Sequence, residues 1–376
     1  MATGYAYHPL FLWHDTGTSA ALIPANPMAG VQPATHLEHP EFKRRAHELL
    51  HVSGLLRELM IIEPGPATRA QLLRVHTHGY LNRLAQHSRL GGGDAGDGHS
   101  PIGRGSYDIA CLAAGAVIDL VTAVADGDIT NGYALVRPPG HHALADQGMG
   151  FCLINSLAVA ARHAQTLGMA RIAVVDIDTH HGNGTQAIFN SDPSVLTISV
   201  HQANCFPPDS GWIQDNGAGD GTGSALNVPL PPGSGPAAWL HAMTQVVIPA
   251  LDRFTPDLIL LAAGFDANVF DTLARQSLTA DAYRQITSLL TDAADRLCNG
   301  RLVATHEGGY SFYAPHCVAA HVETLAGLPP HITDPYATIV ASYNTEPLLE
   351  HQRAVIEQAT QLVPTIPTTA PPLATH

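Results

Sequence analysis

Residues 171–186 read RIAVVDIDTHHGNGTQ, a short apolar run followed by a loop rich in Asp, His and Gly. The run 171–176 alternates too little between apolar and polar residues to form a strand with one face in water. It predicts a strand that is buried on both faces, as in a parallel sheet. Ligands of open parallel sheets bind outside the carboxyl ends of the strands, so the loop after residue 176 is the first place to look for chemistry.

Strand and helix patterns alternate along the rest of the chain. Buried strands are predicted at residues 133–136, 195–201, 257–263 and 301–305, and helices at residues 40–59, 106–125, 155–167, 236–254 and 279–297. The alternation predicts an α/β fold with a single domain, built on an open, mainly parallel β-sheet with helices on both faces. The domain is expected to span residues 1–363. The segment 364–376 is rich in proline and threonine and is predicted to be a disordered tail.

The composition narrows the possible function classes. The 18 Lys and Arg against 32 Asp and Glu give a net charge of −14, which excludes the basic face of a nucleic-acid-binding protein. The five cysteines form no C-x-x-C pair, which argues against a disulfide framework and against a thiolate zinc site. No basic residue precedes Lys43, as a signal peptide would need, and no apolar run reaches the roughly 18 residues of a membrane span. We therefore expect a cytoplasmic protein with no membrane segment.

Two of the predicted strands are followed by side chains that metals bind. Asp176, Asp178 and His180 alternate by two, so they point to one side if the backbone is extended. Asp266 follows the strand 257–263 and is expected at the same rim of the sheet. Three carboxylate and imidazole ligands, with a fourth position left for water, are the layout of a catalytic zinc site. The alternative is that the carboxylates cap turns or helices and that His180 packs in the core.

Two other strands are followed by candidate acid–base groups. The loop RPPGHHA carries the adjacent His141 and His142, which suit proton transfer if neighbouring groups fix their tautomers. The alternative is an exposed loop in a histidine-rich protein. The loop HEGGYS carries Tyr310, whose hydroxyl could hydrogen-bond a developing oxyanion because glycines let the backbone approach a ligand. The alternative is a glycine turn with a packing tyrosine. The glycine-rich loop 88–105 has no G-x-G-x-x-G that leads from a strand into a helix, which argues against a dinucleotide site.

Six motifs in order resemble those of the zinc-dependent histone deacetylase family. They are RPPGHHA (137–143), GFCLINSLAVAARHA (150–164), VVDIDTHHGNGTQ (174–186), LTISVH (196–201), AAGFDA (262–267) and EGGY (307–310). The resemblance covers about residues 4–336 and implies the arginase and deacetylase type of α/β fold. Four further stretches are most similar to the bacterial class II histone-deacetylase-like amidohydrolases: HPEFKRR (39–45), GGGDAGDG (91–98), CFPPDSG (205–211) and NVPLPPGSG (227–235).

The resemblance implies roles for individual residues. Asp178, His180 and Asp266 become the ligands of one catalytic Zn²⁺, Asp176 holds His141, Asn183 faces His142 where many deacetylases have a second Asp, and Tyr310 is the catalytic tyrosine. Without a carboxylate partner, His142 is expected to be a less basic, neutral base. Asp97 is implied at the substrate rim, and Gly150, Phe151, Phe206 and Leu273 along an acyl-lysine tunnel, although such residues also form ordinary core. A structural K⁺ is implied at the Asp176 side chain, Ser199 and the backbone oxygens of Asp178, His180 and Val200.

The implied function is hydrolysis of an acetyl or other short acyl group from an ε-amino-type amide. Water activated by zinc would attack, with a histidine as general base and Tyr310 as oxyanion donor. The expected partners are a small acylated amine or an acyl-lysine peptide, and further copies of the chain in a homo-oligomer. An acetylpolyamine amidohydrolase is the alternative within enzymes. An arginase-type enzyme would need a second carboxylate-rich ligand set, which residues 180–183 (HHGN) do not offer. A non-catalytic acyl-group sensor would not need His141, His142 and Tyr310.

Overall fold

The main sheet has eight strands, and the computed structural model describes residues 2–20, 22–343 and 347–368. The strands are β1 (Thr3–Ala6), β2 (Met60–Ile62), β3 (Asn131–Ala134), β4 (Ile172–Asp176), β5 (Val195–Gln202), β6 (Ala225–Leu230), β7 (Leu258–Ala263) and β8 (Leu302–His306). Their order across the sheet is β6-β5-β4-β7-β8-β3-β1-β2. Each neighbouring pair is parallel. Because β4 and β7 are neighbours, the loops that follow them leave the sheet side by side.

Strand β4 shows why the sheet is covered on both faces. All five of its residues are buried. Ala173 and Val175 pack into one hydrophobic cluster, and Ile172 and Val174 into the other. Successive side chains of a strand point to opposite faces, so each cluster belongs to one face of the sheet. The prediction of an α/β fold with a mainly parallel sheet and helices on both faces is confirmed.

Helices cover both faces of the sheet. They are α1 (Glu41–Val52), α2 (Arg69–Leu72), α3 (His78–Leu90), α4 (Ser106–Asp126), α5 (Ser156–Thr166), α6 (Asn183–Phe189), α7 (Pro236–Ala242), α8 (Ile248–Phe254), α9 (Ala280–Cys298), α10 (Ala314–Leu325), α11 (Ala337–Ala341) and α12 (Glu350–Thr360). Helix α1 and helices α7 to α12 contribute to the cluster on one face, and α4, α5 and α6 to the cluster on the other. Helices α2 and α3 pack with α4 and α5 in a third cluster. A π-helical turn, Met243–Val247, joins α7 to α8.

Three local features differ from the sequence-based expectations. The helix expected at 40–59 ends at Val52, and Gly54 then adopts a left-handed conformation with φ of 85°. The expected loop 88–105 begins inside α3 and contains a small hairpin, in which Gly92–Asp94 pairs with Pro101–Gly103. A second small antiparallel sheet is formed by Thr18–Ala20, Ile23–Pro24 and Ala34–Thr35. The hairpin and the second small sheet together line one surface pocket.

Helix α4 is more apolar than the sequence analysis allowed. It is 21 residues long and meets the length and composition of a membrane span, whereas no segment of that kind was expected. In this fold, 78% of its most apolar window is buried, and it packs against α5 and strands of the main sheet. A helix that is apolar on all sides and covered by its own chain is typical of the core of a large domain.

The ordered chain extends beyond residue 363. Val363–Thr365 forms a 3₁₀ turn, and Ile366 is 1% exposed within the hydrophobic core. The carbonyl of Pro367 accepts a hydrogen bond of 2.9 Å from the Arg171 guanidinium. The first part of the segment predicted as a tail is therefore packed, and residues 369–376 lie outside the described residues.

Candidate active site

Three side chains of the types that bind metals meet at the carboxyl edge of the two central strands. Asp178 and His180 follow β4, and Asp266 follows β7. His180 Nδ1 lies 3.1 Å from Asp178 Oδ1 and 3.0 Å from Asp266 Oδ2. All three residues are buried, and they offer ligand atoms within 4.8 Å of one another. Asp176, by contrast, turns away from this group toward the histidine pair.

The chemistry of this cluster fits a divalent cation. His180 Nδ1 carries at most one hydrogen, and Asp178 Oδ1 accepts it. The buried Asp266 Oδ2 therefore makes no hydrogen bond among the described residues although His180 Nδ1 is near, whereas Oδ1 accepts one from the Thr179 amide. Burial, and then repulsion from Asp178, raises the pKa of Asp266 to about 6. Two carboxylates held together out of water are costly unless a cation neutralises them. One imidazole and two carboxylates are a donor set that zinc accepts.

A glycine makes this close approach possible. A Cβ on Gly308 would lie 2.2 Å from Asp266 Oδ2 and 2.7 Å from Asp178 Oδ2. No real Cβ comes so near to an oxygen atom, so any side chain at this position would displace the ligands. The Gly308 amide also donates a hydrogen bond of 2.8 Å to Asp178 Oδ2. The turn after β8 therefore lies close to both carboxylates and holds that of Asp178.

The two adjacent histidines have opposite electrostatic environments. His141 Nδ1 lies 2.9 Å from Asp176 Oδ2. Burial alone would lower the pKa of His141, but the Asp178 and Asp176 carboxylates outweigh it and raise the pKa to about 10. Burial, and then the positive charges of His141 and His180, holds the pKa of His142 well below its ordinary value. One imidazole is therefore charged and its neighbour is neutral at neutral pH.

The partner of His142 decides which of its nitrogens is free. Asn183, the first residue of α6, places Oδ1 at 2.7 Å from His142 Nδ1. An amide oxygen only accepts, so Nδ1 carries the proton and donates it to Asn183. The lone pair of His142 then lies on Nε2. The neutral imidazole thus offers a basic nitrogen at the site.

Tyr310 completes the group from the turn after β8. Its side chain is 6% exposed, and its ring packs edge-on against Phe151 at 5.9 Å between centroids. Burial, and then the Asp266 and Asp178 carboxylates, raises the pKa of Tyr310 well above its ordinary value. The hydroxyl group therefore stays protonated and can donate a hydrogen bond.

A cavity of about 210 Å³ leads to these groups. It is lined by Leu22, His99, His142, Gly150, Phe151, His180, Cys205, Phe206, Leu273 and Tyr310. All four residues expected along a tunnel are in this lining, and Phe206 packs edge-on against His142 at 4.9 Å. Sequence reasoning missed Leu22, His99 and Cys205, because the spacing of the motifs carries no information on which loop residues face the cavity.

Asp97 does not line the cavity. Its Oδ2 accepts a hydrogen bond of 2.7 Å from the Gly150 amide, and its Oδ1 one of 2.9 Å from the His99 amide. The side chain thus ties two loops of the rim together. Gly150 and His99 both line the cavity, so Asp97 holds the backbone of two lining residues without facing the cavity itself.

Ser199 and Val200 lie on β5, next to β4. Ser199 is in register with Asp176, and both line a small cavity of about 10 Å³ behind the cluster. Ser199 Oγ also lies 2.9 Å from His201 Nδ1. Val200 is fully buried.

Glu307 is a buried acidic residue to which the sequence analysis gave no role. Its Oε2 accepts hydrogen bonds from the amides of Gly140 at 2.7 Å and His141 at 3.1 Å. Burial raises the pKa of Glu307 to about 7. The side chain holds the backbone of the histidine pair against the turn that carries Tyr310. Partners that are backbone amides leave no pattern in the sequence, so no signal marked this role.

Known proteins share this chain's sequence and fold. The model of the histone deacetylase domain matches residues 36–325. A histone deacetylase-like amidohydrolase of Pseudomonas aeruginosa is 48% identical over 338 residues, which cover 89% of this chain and 88% of that protein. Histone deacetylase 8 of Arabidopsis thaliana is 39% identical over 313 residues, covering 80% of this chain and 82% of that protein. The crystal structure of the HDA15 HD domain is similar with a TM-score of 0.84 at 31% identity, over 98% of both chains.

The similarity in sequence and the similarity in fold extend over the same segments that build the site. The family model includes the loops after β3, β4, β7 and β8. The chain therefore belongs to the histone deacetylase family, a family of amidohydrolases with deacetylase activity.

Proposed function

We propose that the protein is a zinc-dependent amidohydrolase that removes acetyl or another short acyl group from the amine end of a linear amide, such as an acyl-lysine. One observation carries the proposal. His180, the neutral His142 and the protonated Tyr310 line one cavity, and His180 belongs to the buried cluster with Asp178 and Asp266. A cation site, a base and an oxyanion donor at one place are what the hydrolysis of an amide needs.

Zinc, bound by Asp178, His180 and Asp266, would supply Lewis-acid polarisation of the substrate carbonyl and of the attacking water. His142 accepts the proton of the attacking water at Nε2. The imidazolium of His141, held by Asp176, donates the proton that the leaving amine needs. Tyr310 donates its hydroxyl proton in a hydrogen bond to the oxyanion that forms from the carbonyl.

The cavity suits a narrow aliphatic chain. Phe151 and Phe206 present aromatic rings, and Leu273 an aliphatic side chain, to the space that leads to Tyr310 and His142. Apolar walls accept methylene groups and exclude water from the reacting amide. The net charge of −14 attracts a cationic substrate, which fits a lysine-bearing peptide and also an acetylated polyamine. Kinetics on an acetyl-lysine peptide and on acetylputrescine separate these two substrates.

The change Tyr310→Phe tests the mechanism. Loss of one oxyanion donor is expected to lower kcat on an acetyl-lysine reporter by about 10²- to 10³-fold. Zinc content, measured by metal analysis, is expected to stay unchanged because the hydroxyl is not a ligand. A variant with full activity would remove Tyr310 from the mechanism, and a variant without zinc would move its role to metal binding.

We also propose a structural K⁺ beside β4 and β5, as the resemblance to the family implies. Asp176 and Ser199 lie in register, and they share a small cavity that offers oxygen atoms. Hard monovalent cations prefer such oxygen ligands. The melting temperature is expected to rise with KCl more than with tetramethylammonium chloride at equal ionic strength. Equal effects of the two salts would contradict the proposal.

A further inference from the structure

The loop after β7 and the turn after β8 are fastened together by one carboxylate. Asp271 Oδ2 accepts a hydrogen bond of 2.7 Å from the Tyr310 amide. Its other oxygen, Oδ1, accepts one of 3.0 Å from the amide of Leu273, a residue of the cavity wall. The same side chain therefore holds the backbone of the oxyanion donor and the backbone of the tunnel rim.

We propose that Asp271 is a positioning residue that sets the place of the Tyr310 hydroxyl relative to the substrate carbonyl. The inference rests on the proposed function of Tyr310 and extends it. Tyr310 follows Gly308 and Gly309, which have no side chains that could pack and fix the backbone. Gly309 adopts φ of +135°, a conformation that favours glycine. Glycine leaves the chain many conformations. The backbone of Gly308 is held by Asp178 and Phe265, and the bond to Asp271 is the one that holds the amide of Tyr310 itself. Displacement of a catalytic group by about 1 Å can cost about 10²-fold in rate.

The backbone next to Asp271 is fixed by aromatic packing. Its neighbour Phe270 packs against Phe312 at 5.0 Å, Tyr313 at 5.4 Å and Tyr336 at 5.9 Å between ring centroids. Ring pairs at such distances are attractive beyond the area that they bury. Phe312 and Tyr313 stand two and three residues after Tyr310. The aromatic contacts of Phe270 and the hydrogen bond of Asp271 therefore join the loop after β7 to the same turn on both sides of Ser311.

The two bonds require the carboxylate. An asparagine at position 271 has one accepting oxygen and one donating nitrogen, so it can satisfy only one of the amides of Tyr310 and Leu273. The change Asp271→Asn therefore keeps the size of the side chain and removes at least one of these bonds. Asp271→Glu keeps both accepting oxygens but places them one methylene farther from the backbone.

A double-mutant cycle with Tyr310→Phe tests the inference. Asp271→Asn is expected to lower kcat on an acetyl-lysine reporter by about tenfold while Tyr310 is present. In the Tyr310→Phe background, the same change is expected to cause less than about twofold further loss, because the hydroxyl that it positions is already absent. A residue with a merely structural role would lower kcat equally in both backgrounds, and that result would overturn the proposal.

Two more measurements keep the outcome decisive. Zinc content and the melting temperature are recorded for each variant, and if Asp271→Asn does not fold, Asp271→Glu replaces it in the same cycle with the same expected pattern. Loss of activity in Tyr310→Phe with none in the Asp271 variant overturns this inference alone. Full activity of Tyr310→Phe overturns the role of Tyr310 and, with it, the role of Asp271.

Discussion

Two buried clusters of charged residues lie in the protein, and they differ in how completely their charges are paired. In the first, Glu38 accepts hydrogen bonds from Lys43 at 3.1 Å and from Arg137 at 2.8 Å, and all three side chains are at most 1% exposed. The remaining Arg137 donors bond the carbonyls of Phe11, His14 and Glu38. The second cluster is that of Asp178, His180 and Asp266, in which one carboxylate oxygen has no hydrogen-bond partner among the described residues.

The difference teaches what distinguishes a structural ion cluster from a binding site. Both clusters are buried, so burial of charge does not by itself indicate function. The Glu38 cluster holds its carboxylate with two cations and leaves no acceptor open. The Asp178 cluster has two carboxylates against one imidazole and keeps an acceptor open, which is the arrangement that a metal ion completes.

The largest expected effect comes from removing a carboxylate of the Asp178 cluster. Asp178→Ala removes one of three ligands, so zinc binding and deacetylase activity are both expected to fall to the background level. Metal analysis and a reporter assay measure the two losses. The matched control is Asp252→Ala, which removes an exposed carboxylate paired with Arg296 and is expected to keep both zinc and activity. Full zinc occupancy in Asp178→Ala would show that this cluster is not the metal site.

Removing the charge of Glu38 from the Glu38 cluster is expected to lower the stability of the fold instead. Glu38→Gln leaves Arg137 and Lys43 buried without a counter-charge, so the free energy of unfolding is expected to drop by about 3–5 kcal/mol. Urea unfolding followed by circular dichroism measures it. The control Glu41→Gln removes a carboxylate paired with Arg44 at the surface and is expected to leave the unfolding midpoint almost unchanged. If Glu38→Gln loses zinc while it remains folded, the division between the two clusters is wrong.

Because of the Glu38 cluster, we also expect the stability of the protein to depend on pH. Burial alone would raise the pKa of Glu38, but Arg137 and Lys43 outweigh it and hold the pKa well below its ordinary value of 4.5. A depressed carboxyl pKa in the folded state stabilises the protein above the ordinary pKa, and the contribution is lost as the pH falls below it. Urea unfolding between pH 6 and pH 3 is expected to show a steeper loss for the wild type than for Glu38→Gln. Parallel curves would contradict the ionised state of Glu38.

The smallest expected effect comes from adding a negative charge beside His142, next to the Asp178 cluster. Asn183→Asp gives His142 a carboxylate partner, which raises the pKa of the imidazole because it stabilises the charged form. The base is then protonated up to a higher pH, so the acid limb of kcat/KM is expected to move upward by about one pH unit. The pH profile on an uncharged acetamide reporter measures the shift, with zinc content as the control. An unmoved acid limb would contradict the assignment of His142 as the base.

The sequence predicted the central strands well and the outer ones poorly. β4, β5, β7 and β8 are runs of β-branched and aliphatic residues, and they lie within one or two residues of their predicted bounds. β1 (TGYA), β2 (MII) and β6 (ALNVPL) were missed, because they are short or interrupted by glycine and proline. Only their pairing with neighbours makes them strands, and pairing is not visible in a single sequence.

The site was predictable where its residues stand at strand ends. Asp178, His180 and Asp266 follow two neighbouring strands, so the rule for parallel sheets places them at one rim. Glu307 and Asp271 could not be found in this way, because their partners are the amides of His141 and Tyr310. Every residue except proline has such an amide, so the bond depends on loop geometry alone.

The pairing of β4 with β7 has a consequence for the order of assembly. The Thr179 amide bonds Asp266 across 87 residues of chain, so the proposed metal ligands meet only after the two strands lie side by side. Contacts so far apart in sequence form late, since the entropy of closing the intervening loop must be overcome first. We therefore expect the proposed zinc ion to enter a polypeptide that has already folded, unlike the ion of small zinc-binding domains, in which the metal drives folding. Chelation should release the ion and leave a folded apoprotein that regains activity when zinc is returned.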